Sequence, residues 1–233
     1  MIALTVLSGG AAEGLVGTLA SELQSIARVE ISGTFGAVGA MHAKLLAGAP
    51  ADLLILTRAI ISGLERDGVA VPGSARDVGI VRTAIAIRSG DPSPLVETSD
   101  VLRKTLLTAD AIHVPDTRLS TAGQHVARML SALGIAGNVT SKLHEYPNGM
   151  TAMRALARSR ALRPIGCTQV TEIVSTPGVT LVRALPGEHE LATVYTAAVA
   201  ARTANAEEAS RAIDVLTGIS SAFARAQAGF EAV

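Results

Sequence analysis

Short apolar stretches alternate with alanine- and leucine-rich helical ones along nearly the whole chain, and this alternation narrows the fold more than any other feature. A repeated strand–helix–strand rhythm calls for an α/β sheet covered by helices. Residues 2–7 read as a strand that runs through Ser8-Gly9-Gly10 into a helical segment over 11–26, where Leu15, Leu19, Leu23 and Ile26 recur at helical spacing. A strand over 29–31 and a small-residue loop over 33–39 follow. A helix through Met41, Leu45 and Leu46 then ends at Gly48. Residues 52–56 (DLLIL) are apolar throughout, as a strand covered on both faces must be. A helix over Arg58–Arg66 is stopped by Gly68.

The pattern then changes. After the turn Val71-Pro72-Gly73-Ser74 comes a long strand pattern over 78–88. Helices at 100–107, 122–133 and 150–157 alternate with strands at 111–114, 139–144 and 165–168. A second long strand pattern covers 191–201, and helices over 206–216 and 220–228 finish the chain. Two long strands bracketing a middle block predict two Rossmann-like lobes, 1–79 plus 196–233 and 80–195, joined by a two-strand hinge with a ligand cleft between them.

Charge and composition exclude several functions. Lys plus Arg and Asp plus Glu number 20 each, so the chain is formally neutral, and it has no basic stripe to neutralise nucleic-acid phosphates. Aromatic residues make up 2% with no tryptophan, which removes the usual stacking platform for bases. Cys167 is the single cysteine, so neither an intramolecular disulfide nor a cysteine zinc cluster can form, and no metal or cofactor is implied. The opening MIALTVLSGG reads as a strand, not a signal peptide, which predicts a cytoplasmic location as the sequence stands and a periplasmic one if a leader was removed.

A strand that enters a helix through small residues leaves backbone N–H groups and the positive end of a helix dipole facing one spot, where an oxyanion satisfies them. The loops at 8–11, 36–40, 120–123 and 148–151 have this form. Arg58 directly follows the third strand, Arg118 lies between a strand and a helix, and Asn148, Thr168 and Gln169 add neutral donors. Two guanidinium forks facing a pocket would suit a planar carboxylate.

LTVLSGGAAEG, TFGAVGAMHAKLLAGAPADLLIL, GIVRTAIAIRSGDP and TVYTAAVAA, in that order, resemble the molybdate-binding proteins of ABC importers. The stretch 47–56 and the strand-to-helix turn at 166–173 resemble the same family, so the likeness spans nearly the whole chain. It implies the type 2 periplasmic-binding-protein fold, a small anionic ligand, a monomer and an ABC importer as membrane partner. It also implies ligand contacts from Ser8, Gly9 and Gly10, from the second loop at Gly36, Ala37 and Val38, and from Tyr195, which sits where the family carries a ligand-contacting tyrosine. The second loop departs from the family's pattern because positions 37 and 38 carry no hydroxyl. Losing one buried donor costs about 1–3 kcal/mol, so the anion need not be molybdate.

Aconitate isomerases resemble the same family, so an isomerase of an unsaturated di- or tricarboxylate stands beside the binding protein as an alternative. Such an enzyme needs cationic clamps and a base for a carbon-bound proton. His113, Asp116, Cys167, Glu172 and Tyr195 are all candidates, and their spacing does not choose among them.

Overall fold

In a computed structural model, which describes residues 2–233, the chain is an α/β protein that divides into two compact units, Met1–Val81 with Thr193–Val233, and Arg82–Ala192. The first unit begins with β1 (Ile2–Gly9), whose last four residues are buried. A 3-10 turn at Gly10–Ala12 leads into α1 (Glu13–Thr18) and α2 (Ala20–Ser25). The single helix expected over 11–26 is thus split, because Leu19 leaves helical geometry at ψ 13°. Leu15, Leu19 and Leu23 still enter the core, whereas Ile26 is exposed.

The next strand, β2 (Val29–Gly36), reaches well past the predicted end and absorbs much of the expected loop. Its parallel pairing with β1 runs on to Gly9↔Gly36, so the small residues find backbone partners in the ladder. α3 (Val38–Leu46), β3 (Leu53–Thr57) and α4 (Arg58–Arg66) follow. β3 lies parallel to β1, with Leu53 to Leu56 fully buried. Gly48 and Gly68, just beyond α3 and α4, take φ values of 90° and 68°, the left-handed conformation that ends helices and strains any other residue.

The 13-residue strand β4 (Arg76–Arg88) carries the chain into the second unit. There follow α5 (Ser99–Thr108), β5 (Ala111–Pro115), α6 (Thr121–Ala132), α7 (Ala136–Val139), β6 (Leu143–Tyr146), α8 (Gly149–Ala157), β7 (Pro164–Gln169), α9 (Val170–Val174) and β8 (Val179–Ala184). β4 pairs antiparallel with β7 and β8, while β5 pairs parallel with β6 and β7. Alternation along β4 sends Ile85 to one face, with Leu102, Val126 and Ile165, and Ala84 and Ala86 to the other, with Met153 and Leu156. Both faces of this sheet are therefore covered. The strand expected at 139–144 is corrected: α7 and a 3-10 turn at Thr140–Lys142 occupy most of it. Ile135 and Val139 both enter the core four residues apart, a helical spacing. β8 was not anticipated, since it is a largely exposed edge strand without an apolar run.

β9 (Ala192–Val199) returns the chain to the first unit, antiparallel to β3, and α10 (Ala206–Thr217) and α11 (Ala222–Gln227) complete it. The final helix starts later than expected, because a 3-10 turn takes Ile219–Ser221. Among the described residues, no helix is long and apolar enough to cross a membrane.

Candidate functional site

In the first unit, three of the singled-out segments meet at one point. A Cβ added to Gly9 would lie 2.9 Å from Tyr195 Cε1 and 2.9 Å from Val38 Cγ2. Glycine is therefore required where β1 ends, because the second loop and the β9 tyrosine approach its backbone. Tyr195 is buried and held edge-on against Phe230, with ring centroids 6.5 Å apart. Gly10, Gly36, Ala37 and Val38 are buried around it. No side chain caps the start of α3, and no acidic residue lies in its first turn.

Ser8 and Arg58 are less available than their positions predict. The Ser8 hydroxyl is fully buried and donates to the Gly9 carbonyl at 2.8 Å. Arg58 lies at the start of α4, where its Nε donates to Asp77 Oδ1 at 3.1 Å and its Nη2 to Asp77 Oδ2. Thr196 Oγ1 also donates to Asp77, at 2.7 Å. Partial burial pushes the Asp77 carboxyl up, but these donors together outweigh it and hold the group below its usual range.

In the second unit, β5, β6 and β7 are parallel, and their C-terminal ends feed the loops that carry the remaining candidates. Arg118 is exposed in the loop after β5, where Asp116 Oδ1 accepts the N–H groups of Arg118 and Leu119 at 2.8 Å each. Those two bonds lower the Asp116 pKa. Ser120 caps α6 by accepting the Gly123 N–H at 3.4 Å.

The start of α8 is different, and here the open donor site expected over 148–151 is corrected. Asn148 is the N-cap, its Oδ1 accepting the Thr151 N–H at 2.8 Å. The buried carboxylate of Glu172 occupies the rest. It accepts from Thr168 Oγ1 at 2.6 Å and is faced by the backbone N–H groups of Gln169, Gly149 and Met150. A Cβ on Gly149 would lie 1.9 Å from Glu172 Oε2 and 2.2 Å from Thr168 Oγ1. The chain has thus filled this helix start with its own carboxyl group. Desolvation raises the Glu172 pKa, partly offset by those four donors.

A second polar group lies nearby on β5 and β6. Buried His113 meets the Tyr146 hydroxyl through Nδ1 at 3.0 Å and stacks on His144, with centroids 5.4 Å apart. Its Nε2 is buried without a partner, and burial followed by the His144 charge lowers its pKa to about 4. It is a neutral imidazole at ordinary pH. Cys167 is fully buried and its thiol is pushed up to about 12 by desolvation, which disqualifies it as a nucleophile. Among the described residues, no group of three His, Cys, Asp or Glu side chains could hold a metal.

A groove of about 530 Å³ also lies in the first unit, lined by Thr5, Asp52, Asp67, Arg202 and Asn205 among others. Its buried carboxylate, Asp52, is spent on the Thr5 N–H, the Thr203 hydroxyl and the Asn205 amide. Sequence reasoning named Glu172 only as a candidate base and missed its role at α8. The available signal was a glycine directly after a capping asparagine, where alanine would favour the helix more.

The chain is similar to proteins of both kinds that the sequence resembles. It is 24% identical to the aconitate isomerase of a Pseudomonas species over 236 residues, covering 99% of this chain and 88% of the relative. The periplasmic molybdate-binding protein of Azotobacter vinelandii superposes with a TM-score of 0.79 at 17% identity, covering 99% of each chain. The sulfate-binding protein SubI of Mycobacterium tuberculosis superposes with a TM-score of 0.78 at 16% identity, covering 100% of this chain and 88% of that one. These likenesses establish the periplasmic-binding-protein fold. Residues 4–231 match the family described as bacterial extracellular solute-binding protein, and the chain belongs to that family.

Proposed function

We propose that this solute-binding protein takes one small anion where β1 ends, beside the start of α3, and hands it to an ABC importer on the outer side of a membrane. The observation that carries this reading is the meeting of Gly9, Val38 and Tyr195 beside the uncapped start of α3. An anion satisfies backbone donors at a helix start. The first unit contributes the start of α3 and Tyr195. Arg118, exposed after β5, is the candidate cation of the second unit. The family assignment and the molybdate- and sulfate-binding neighbours support this reading. A thermal-shift series with molybdate, tungstate, sulfate, citrate, malate and both aconitates tests it. A ligand at one hundred times its Kd stabilises by about 2.7 kcal/mol, and a flat response to the whole series refutes the reading.

An isomerase of an unsaturated di- or tricarboxylate is the second reading, favoured by the aconitate isomerase match across almost the full chain. Glu172, a buried carboxylate of raised pKa, then becomes the base to test first. Incubation of cis- and trans-aconitate with the protein in heavy water, followed by NMR, decides this. An isomerase exchanges a carbon-bound proton, and a pure receptor leaves every one in place.

A further inference from the structure

We propose that the groove at the far end of α3 binds a zwitterion with an apolar body, a free amino acid or a short peptide, whose ammonium group meets Asp67 and whose carboxylate meets Arg202. This groove holds about 530 Å³, within the range of small-molecule sites, and every residue that lines it belongs to the first unit. α3 begins at Val38, which approaches Gly9, and ends at the groove about 13 Å away, so this place is separate from the anion site. Leu45, Pro50, Val69 and Ala200 give the groove an apolar wall. Asp67 and Arg202 are exposed on the same lining, yet neither side chain makes a hydrogen bond or an ion pair among the described residues. Opposite charges that line one groove without pairing suit a ligand that carries the complementary pair.

The two ends of the groove differ in sign. α3 and α4 both finish on it, at Gly48 and Gly68, and partial negative charge collects at helix C-termini. Lys44 and Arg66 stand in the last turns of these helices but do not line the groove. Asp67 directly follows α4, so its carboxylate and the helix end favour a cation together. At the other end, Thr203 and Asn205 are tied to buried Asp52, and the Asn205 N–H donates to Thr203 Oγ1 at 2.9 Å. These bonds anchor the turn after β9 that carries Arg202, whose guanidinium fork matches a carboxylate. One exposed ion pair contributes little. Recognition therefore needs both charges and burial of the body between them, which selects a zwitterion over a simple amine or acid.

Calorimetric titration of L-leucine and of L-leucyl-L-alanine into the wild type, Asp67→Asn, Arg202→Gln and Tyr195→Phe tests this, and the tighter of the two probes separates amino acid from peptide. Isoamylamine and isocaproate, which are leucine without its carboxylate and leucine without its ammonium group, serve as half-ligands. At least one zwitterion should bind the wild type more tightly than either half-ligand. Asp67→Asn and Arg202→Gln should each weaken it by about fivefold or more, and Tyr195→Phe should leave it unchanged. Failure of both zwitterions to bind, a half-ligand that binds as tightly, or an unchanged affinity in either folded groove variant overturns the proposal. Weaker binding in Tyr195→Phe would put the ligand at the anion site and overturns it too. If a groove variant does not fold, the wild-type comparison of zwitterions with half-ligands decides alone. None of these failures touches the anion-receptor reading, which rests on the residues around Gly9.

Discussion

Replacing Gly149 with alanine asks whether the start of α8 is packed as tightly as the structure places it. In most helices the change is favourable, because alanine beats glycine by up to about 1 kcal/mol. Gly149 does not have the positive φ that would by itself penalise alanine. The opposing term is steric: the new Cβ would lie 1.9 Å from Glu172 Oε2 and 2.4 Å from its Cδ. The buried carboxyl must withdraw, giving up hydrogen bonds worth about 1–3 kcal/mol, with overpacking adding about 1–3 kcal/mol. After a helix gain of up to about 1 kcal/mol is subtracted, we expect a net loss of about 1–5 kcal/mol. For a chain of this size that is a Tm drop of roughly 2–20 °C. Gly17→Ala in α1 is the control, since nothing lies within 4 Å of the methyl it would add, and it should be neutral to slightly stabilising. Thermal unfolding followed by circular dichroism reads both. Equal behaviour of the two variants would refute the tight contact at α8.

Further expected outcomes come from the same contacts. Tyr195→Phe should leave the melting temperature within a few degrees and weaken anion binding about tenfold, read by titration, as one buried hydroxyl is lost. His113 has a folded pKa of about 4 against about 6.5 when unfolded, so the unfolded chain takes up the proton first as pH falls. Stability should therefore drop by up to about 3 kcal/mol between pH 6.5 and 4, and denaturant midpoints of His113→Gln should lose most of that slope. Cys167, fully buried with its thiol pushed up to about 12, should react with a thiol reagent only at the rate of unfolding; rapid labelling of the native protein would contradict its burial.

Much of the fold was legible because its strands are apolar and bounded by small residues. DLLIL became β3, and the long patterns at 78–88 and 191–201 became β4 and β9, the strands at which the chain changes unit. What failed was local. The strand expected at 139–144 begins only at Leu143, because the end of α7 and a 3-10 turn take Val139 to Lys142, and β8 was missed because an edge strand needs few apolar residues. In the site, glycine and small-residue loops pointed correctly to helix starts, and Gly9 and Val38 do approach Tyr195. Sequence spacing could not show that Asp77 engages the fork of Arg58, or that Glu172 fills the start of α8, since each partner is remote in sequence or buried by tertiary packing.

The most direct measurement is a calorimetric titration of the best-binding anion into the wild type and Tyr195→Phe. The account predicts one anion per chain and weaker binding in the variant. An unchanged affinity in the folded variant would contradict it.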